Sequence, residues 1–344
     1  MDKKRNFILL IGGIIFLLLF SIILSTSIGS VKIPFNFTIS LLLSRLTFLD
    51  IEPVWTSTQE SIIWNLRLPR IVLAIIVGSM LSVSGTAFQG VLRNPLADPY
   101  ILGVSSGAAL GAAATILFFS NNSFIGQYTL PVFAFIGAFV SLGIVMLIAN
   151  VRRQRGSETL ILAGVIVQSL TGAVLTFLIA ISGEQMQSII FWMMGSLANH
   201  DWIDIWVLIP YFLIGAIYLF SQYRELNVIS LGERTAVHLG IEIERKKFFI
   251  LLTASLLAAS AVSIVGIIGF VGLVIPHLIR TITGPDHRIL LPVATLAGAV
   301  FLLWTDTLAR TIIPSREIPI GVLTAFIGAP FFAYLLRRGL KRGI

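Results

Sequence analysis

The sequence predicts an all-α polytopic membrane protein that forms a single transmembrane domain over residues 1–344. Hydrophobic residues make up 56% of the chain and charged residues only 12%, whereas a soluble domain carries about 25% charged residues. The mean hydropathy is +0.96, and several apolar runs exceed the roughly 18 residues of a membrane helix. These observations exclude a soluble enzyme, a secreted disulfide scaffold and a disordered chain.

Ten apolar runs predict ten transmembrane helices. They lie at about 7–28, 71–91, 101–119, 129–150, 159–182, 203–220, 248–266, 267–283, 290–309 and 319–336. The first run is longer than the 7–15 apolar residues of a signal peptide, so we expect it to be retained. Phe248 to Thr283 would form a helix of about 54 Å, too long for a ~30 Å hydrocarbon core. We therefore expect a break within Gly266–Gly272, where glycine permits a turn.

The basic residues predict the orientation of these helices. Both termini are basic, with Lys3, Lys4 and Arg5 at one end and Arg337 and Arg338 near the other, so both are expected in the cytoplasm. This requires an even number of spans and places 18 of the 24 Lys and Arg residues inside. Because the charges cluster between apolar runs, the net charge of +8 needs no nucleic acid partner.

Glycines at three- and four-residue spacing run through residues 103–111. Such overlapping G-x-x-x-G patterns let helices approach closely in lipid. We expect them to pack helices of this chain together rather than to form a dimer face.

The sequence lacks the common catalytic and metal-binding motifs. It contains no Gly-Lys pair, hence no P-loop, and its four histidines have no ligand-like spacing. Asp204 and Asp306 fall near the outer boundary, which favours interfacial acids over the deep ionisable groups of an ion-coupled carrier. We expect a transport subunit with no catalytic residue, metal site or cofactor, driven by a partner. An ion-coupled secondary carrier is the alternative of another class.

Two pairs of arginines are expected on the outer side. Arg67 and Arg70 precede the second span, and Arg310 and Arg316 flank the loop after the ninth. Positive charge outside opposes the usual bias. On these residues alone, snorkelling towards lipid phosphates and docking of an acidic partner are equally favoured.

The longest inner loop, residues 223–247, contains two Leu-Gly pairs, Leu231-Gly232 and Leu239-Gly240. They bracket a short helix-compatible stretch. Because long ordered loops are often functional, a docking element for a cytoplasmic protein is favoured over a solvated connector.

Another inner turn reads Arg93-Asn94-Pro95-Leu96-Ala97-Asp98-Pro99. Two prolines and an asparagine predict a stiff turn. It suits a plain connector and the rigid lip of a pore equally well.

Together these motifs resemble the permease subunit of FecCD-type ABC importers, the family for ferric siderophores, haem and cobalamin. The motifs follow the family order from about residue 60 to residue 336. They are Arg67-Leu68-Pro69-Arg70, Asn94-Pro95-Leu96-Ala97-Asp98-Pro99, Leu102-Gly103-Val104-Ser105-Ser106-Gly107, Leu162-Ala163-Gly164-Val165, Trp192-Met193-Met194-Gly195, Leu231-Gly232 with Leu239-Gly240, Gly269-Phe270-Val271-Gly272 through Pro276-His277 to Arg280, Gly284-Pro285-Asp286-His287-Arg288, and Glu317-Ile318-Pro319-Ile320-Gly321 through Gly328-Ala329-Pro330.

This resemblance implies a type II ABC importer permease fold with ten helices in the bacterial cytoplasmic membrane. Two permease subunits, identical or paralogous, would form the pathway in the bilayer. Two ATP-binding subunits would dock below, and an extracytoplasmic binding protein would deliver the cargo. A ferric siderophore is the expected cargo, with cobalamin or haem as the alternative.

The resemblance also assigns roles to residues. Docking of the binding protein would fall to Arg67, Arg70 and Arg310. The cytoplasmic gate would include Asn94, Pro95, Leu96 and Ser157. Coupling to the ATPase would use Leu231, Gly232, Leu239 and Gly240. The segment from Gln187 to Met194 would form a small extra helix near the pathway.

Overall fold

The computed structural model describes residues 2–29, 31, 33–46, 55–119, 128–149, 157–232, 243–313 and 316–340. The secondary structure of these ranges is helical, with short connections. The helices of the first half are α1 Asp2–Ser27, α2 Phe35–Leu46, α3 Ser57–Ser61, α4 Leu68–Leu92, α5 Val104–Phe119, α6 Thr129–Ala149 and α7 Ser157–Ile181. Those of the second half are α8 Met186–Met193, α9 Trp202–Ser221, α10 Tyr223–Ser230, α11 Ile243–Val265, α12 Val271–Thr283, α13 His287–Ala309 and α14 Ile320–Leu340.

The helices follow the predicted apolar runs. Within the described ranges, seven are long and apolar enough to cross a membrane, and three shorter apolar helices coincide with the remaining runs. The shorter ones are Val104–Phe119, Val271–Thr283 and Ile320–Tyr334. The prediction of an all-α, multi-pass membrane protein is therefore confirmed.

The second predicted span is part of a much longer helix. Ser57–Leu92 runs for 36 residues, beginning 14 residues before the predicted start at 71. A capping box at Thr56 starts it: the Thr56 hydroxyl accepts from the Gln59 N–H (3.3 Å), and the Gln59 side chain accepts from the Thr56 N–H (3.0 Å). Between α3 and α4, Ile62–Arg67 forms a π-helix. The hydropathy pattern missed this first part because it carries polar and charged side chains.

Helix α4 is the buried axis of the bundle, in contact with α9, α11, α12 and α13. Small residues permit this packing: a Cβ at Gly85 would collide with the Gly272 carbonyl group, and one at Gly78 with that of Gly298. A Cβ at Gly107 of α5 would likewise collide with the backbone of α6. The expected close packing between helices of this chain is confirmed at Gly107.

The predicted break lies between α11 and α12. Helix α11 ends at Val265 and α12 begins at Val271, and Gly266 has a positive φ of 74°. With 13 residues, α12 is about 20 Å long, shorter than the predicted span. Its start packs against the second half of α4, where Gly272 meets Gly85. The break therefore lies inside the bundle.

Neighbouring segments bind the irregular backbone of this break. The Ser196 N–H donates to the Val265 carbonyl oxygen (2.8 Å). The Tyr100 hydroxyl donates to the Ile268 carbonyl oxygen (2.8 Å). Non-helical backbone is tolerated at membrane depth where it is buried in protein or lines a cavity, and this break meets that condition.

Candidate docking, gate and coupling sites

The three arginines predicted to dock a partner line one pocket. Arg67, Arg70 and Arg310 surround a cavity of about 460 Å³, together with Arg316 and Glu317. The pocket lies where the start of α4 meets the ends of α1 and α13. The folded chain thus brings together arginines that are more than 200 residues apart in sequence.

Arg67 is almost entirely buried, with 6% of its surface exposed. Its Nη1 donates to the carbonyl oxygen of Thr26 (2.6 Å), and its Nη2 donates to that of Val31. The last carbonyl groups of a helix lack intrahelical partners and carry partial negative charge, so Arg67 caps the end of α1. Gly29 leaves room for it, because a Cβ there would lie 2.7 Å from Arg67 Nη2.

Arg70 forms two ion pairs with different surroundings. Its Nε donates to Asp306 Oδ1 (2.8 Å), and its Nη1 contacts both carboxylate oxygens of Glu317 (2.9 and 2.8 Å). The Asp306 side chain is 1% exposed, whereas that of Glu317 is 49% exposed. Arg70 therefore has one buried and one solvent-facing carboxylate partner.

Arg310 shares the buried carboxylate. Its Nε lies 3.6 Å from Asp306 Oδ2, and its Nη2 donates to the backbone oxygen (2.6 Å) and the hydroxyl (2.7 Å) of Ser25. The sequence favoured an interfacial acid at Asp306, and no contact within the chain tests its membrane depth. The structure adds that its carboxylate is the buried counter-ion of Arg70 and Arg310. The i, i+4 spacing of Asp306 and Arg310 was the signal that could have identified the pair.

The predicted stiff turn follows α4. Arg93 has a positive φ of 51°, and the Asn94 side chain accepts a hydrogen bond from the Leu96 N–H (2.9 Å). Asp98 accepts from the Tyr100 N–H (2.8 Å). Pro95 and Leu96 are exposed at its tip. Side-chain bonding of this kind fixes a turn. Ser157 is the first residue of α7, and its side chain lies outside the described part of the chain.

Helix α8, Met186–Met193, confirms the short helix expected at Gln187 to Met194. It borders an apolar cavity of about 610 Å³, which is also lined by Phe270, Phe326 and Pro330. Through Phe270 the break between α11 and α12 reaches this surface. The cavity therefore lies directly beside the irregular backbone.

Helix α10 begins the predicted coupling loop. It buries Leu226 and Ile229 completely against the bundle, while Leu231 beyond its end is 72% exposed. Gly232 follows with a positive φ of 120°. Leu239 and Gly240, the second predicted pair, lie outside the described residues.

Polar contacts fix α10 to the neighbouring helices. Asn227 Nδ2 donates to Asp286 Oδ1 (2.7 Å), and Asn227 Oδ1 accepts from the His287 N–H (2.8 Å). Lys246 Nζ donates to Glu225 Oε1 (2.9 Å). Burial is the largest single influence and raises the Glu225 pKa, but the hydrogen bond from Lys246, a backbone hydrogen bond and the charges of Lys246 and Arg224 together lower it below its ordinary value. Movement of α10 is thereby tied to α11 and α13.

Residues 17–338 match the FecCD transport family. The chain belongs to this family. The FecCD relatives include the ABC transporter permease protein YvrB of Bacillus subtilis (strain 168), 43% identical over 94% of this chain and 92% of YvrB. The cobalamin import system permease protein BtuC of Halobacterium salinarum is 45% identical, over a match that covers 81% of this chain and 74% of BtuC.

A solved structure supports the same membership. It is described as an inward-facing conformation of a metal-chelate type ABC transporter, with a TM-score of 0.82, 34% identity, and coverage of 95% of this chain and 98% of the other. Other relatives are named for hemin, molybdate and iron(3+)-hydroxamate. FecCD membership makes this chain a multi-pass transport subunit of the cytoplasmic membrane, working with ATP-binding subunits and a substrate-binding protein.

Proposed function

We propose that this chain is one of two permease subunits of an importer that moves a ferric siderophore into the cytoplasm. It would cross the membrane ten times, with both termini inside. The observation that carries the proposal is the separation of two sites along α4. Arg70 lies near its start, whereas Gly90, near its end, packs against Leu226 of α10. Twenty residues of helix span about 30 Å, the thickness of the hydrocarbon core.

The outer site would receive the binding protein. Four arginines and Glu317 line the pocket, and Asp306 lies buried beneath them, so the cluster keeps an excess of positive charge. Complementary charge accelerates association and fixes orientation. Acidic side chains on the two lobes of the binding protein would therefore engage Arg67, Arg70 and Arg310 from outside.

The inner site would engage the ATP-binding subunits. Leu231 and Gly232 continue from a helix that is fixed to the bundle, and Leu239 and Gly240 would complete the contact. ATP binding would move this element. Through it the gate residues Asn94, Pro95, Leu96 and Ser157 would switch the pathway between outward- and inward-open forms. Substitutions at Leu239 and Gly240 should separate ATP use from uptake.

The proposed cargo has support from relatives named for iron(3+) chelates and from the metal-chelate type structure. Cobalamin is the second candidate, because the cobalamin permease BtuC is 45% identical, above the 33% of the hydroxamate permease FhuG. Haem is the third, on the 40% identity of HmuU.

Labelled uptake separates these candidates. A strain lacking the gene, with and without the restored gene, is offered ferric hydroxamate, ferric catecholate, haem and cobalamin in turn. We expect gene-dependent uptake of a ferric chelate. Uptake of cobalamin or haem alone would replace the siderophore. Uptake that follows a proton or sodium gradient without ATP would indicate the ion-coupled carrier.

A further inference from the structure

We propose that Glu317 occupies, in the free permease, the position on Arg70 that a carboxylate of the binding protein takes when it docks. Glu317 would thus be an internal substitute for the partner. The inference rests on the proposed docking function of this pocket and names the group that the incoming carboxylate displaces.

The geometry distinguishes the two carboxylates of Arg70. Asp306 holds Nε from inside the bundle and is 1% exposed, so no partner can replace it without unfolding the pocket. Glu317 binds Nη1 with both oxygens and keeps 49% of its side chain exposed. The Arg70 side chain is only 12% exposed, but the Glu317 end of the pair faces solvent, where screening weakens its attraction to Arg70. The outer partner is therefore the exchangeable one.

The backbone next to Glu317 permits this exchange without a helix movement. The N–H of Ile318 donates to the Ala309 carbonyl oxygen (3.1 Å), and that of Ile320 donates to the Gly195 carbonyl oxygen (3.2 Å). These bonds fix the chain that enters α14. Rotation of the Glu317 side chain alone can release Arg70 Nη1, so docking needs no rearrangement of the bundle.

Within the part of the chain that the structure describes, the other two docking arginines have different partners. Arg67 donates to backbone oxygens at the end of α1 and in the segment that follows it. Arg310 binds Ser25 and the buried Asp306. Among the described residues of the pocket, Arg70 is thus the arginine that is neutralised by an exposed carboxylate. A carboxylate of the binding protein would therefore compete with Glu317 for Arg70.

A matched pair of variants tests the competition. Glu317→Gln removes the carboxylate from Arg70. The control, Glu60→Gln, removes a carboxylate near the same end of the long helix. Glu60 pairs with Arg45 rather than with a docking arginine (Arg45 Nε to Glu60 Oε1, 3.1 Å). Both substitutions change the net charge equally, so their difference isolates the local effect. The assay is binding of the extracytoplasmic protein that supports uptake, to importer in nanodiscs at low salt.

We expect Glu317→Gln to bind this protein about 3- to 10-fold more tightly than wild type, and Glu60→Gln to bind like wild type. Equal affinity of all three, or weaker binding by Glu317→Gln, would overturn the inference while leaving docking intact. Failure of wild-type importer to bind any extracytoplasmic protein would instead overturn the proposed function, and the inference with it.

A second background guards against a misfolded variant. Arg70→Gln with Asp306→Asn replaces the buried Arg70–Asp306 ion pair by two neutral amides. Arg310 loses its carboxylate neighbour but keeps its hydrogen bonds to Ser25. In that background Glu317→Gln should bring no gain in affinity, because the arginine for which it competes is absent. A gain of the same size there would show that Glu317 acts by general charge, and would contradict the proposal.

Discussion

The hydroxyl group of Tyr100 donates a hydrogen bond of 2.8 Å to the carbonyl oxygen of Ile268. This bond joins the connection that follows the Asn94 turn to the break between α11 and α12. One residue beyond, the carbonyl group of Ile101 accepts from Gln168 of α7 (2.8 Å). The connection that follows the candidate gate is therefore hydrogen-bonded to the break, and the neighbouring residues Ile267, Gly269 and Phe270 line the apolar cavity.

Tyr100→Phe should destabilise the protein by about 1–3 kcal/mol, because the buried carbonyl group of Ile268 loses its donor. The measurement is the thermal unfolding midpoint in detergent. Tyr334→Phe, at a side chain that is 59% exposed, is the control and should leave the midpoint unchanged. Equal midpoints for both variants would mean that water replaces the lost hydroxyl group.

Gly85→Ala should separate α4 from α12, because its Cβ would collide with the Gly272 carbonyl group. Overpacking of this kind costs about 1–3 kcal/mol. Gly143→Ala on α6, where a Cβ meets nothing within 4 Å, should be neutral or slightly stabilising. Unfolding midpoints of the two variants check the contrast. A Gly85→Ala protein as stable as Gly143→Ala would refute the close approach.

Asp98 should make stability depend on pH. Burial raises the pKa of the Asp98 carboxyl group to about 6, although the hydrogen bond from the Tyr100 N–H acts in the opposite direction. The folded state therefore holds this proton more tightly than the unfolded state, so stability falls as the pH rises from about 4 to about 6. Asp98→Asn keeps an acceptor for Tyr100 and removes the titration.

Unfolding midpoints across pH 4 to 7 test this expectation. The difference between Asp98→Asn and wild type should grow in favour of the variant over this range. A constant difference would contradict the raised pKa.

Leu231→Ala should reduce uptake several-fold without changing the unfolding midpoint, because the side chain is 72% exposed and would contact an ATP-binding subunit. The measurement compares ATP hydrolysis with uptake in proteoliposomes. Leu147→Ala, 81% exposed on α6, removes a similar apolar area elsewhere and should transport normally. Equal uptake by the two variants would argue against a coupling role for Leu231.

Hydropathy predicted the helices well, because burial in lipid requires long apolar segments whatever their neighbours. The break near Gly266 followed from length alone. The depth of that break did not, since it depends on a contact between Gly272 and Gly85 that no local pattern encodes. Likewise, the motifs identified Arg70 and Arg310, but their shared carboxylate, Asp306, required the packing of α4 against α13.

The wide turn at Ile62–Arg67 has a consequence for the two arginines beside it. In an α-helix, residues three apart point to nearly the same side, so Arg67 and Arg70 would repel each other. Here the π-helix ends at Arg67, and the two side chains reach different neighbours, the end of α1 and the carboxylate on α13. A π turn holds more residues than an α turn. Deleting one residue from this stretch would restore an ordinary α-helix. The first turns of the long helix, from Ser57 onwards, would then rotate about the helix axis, while the helices after Arg67 would keep their positions.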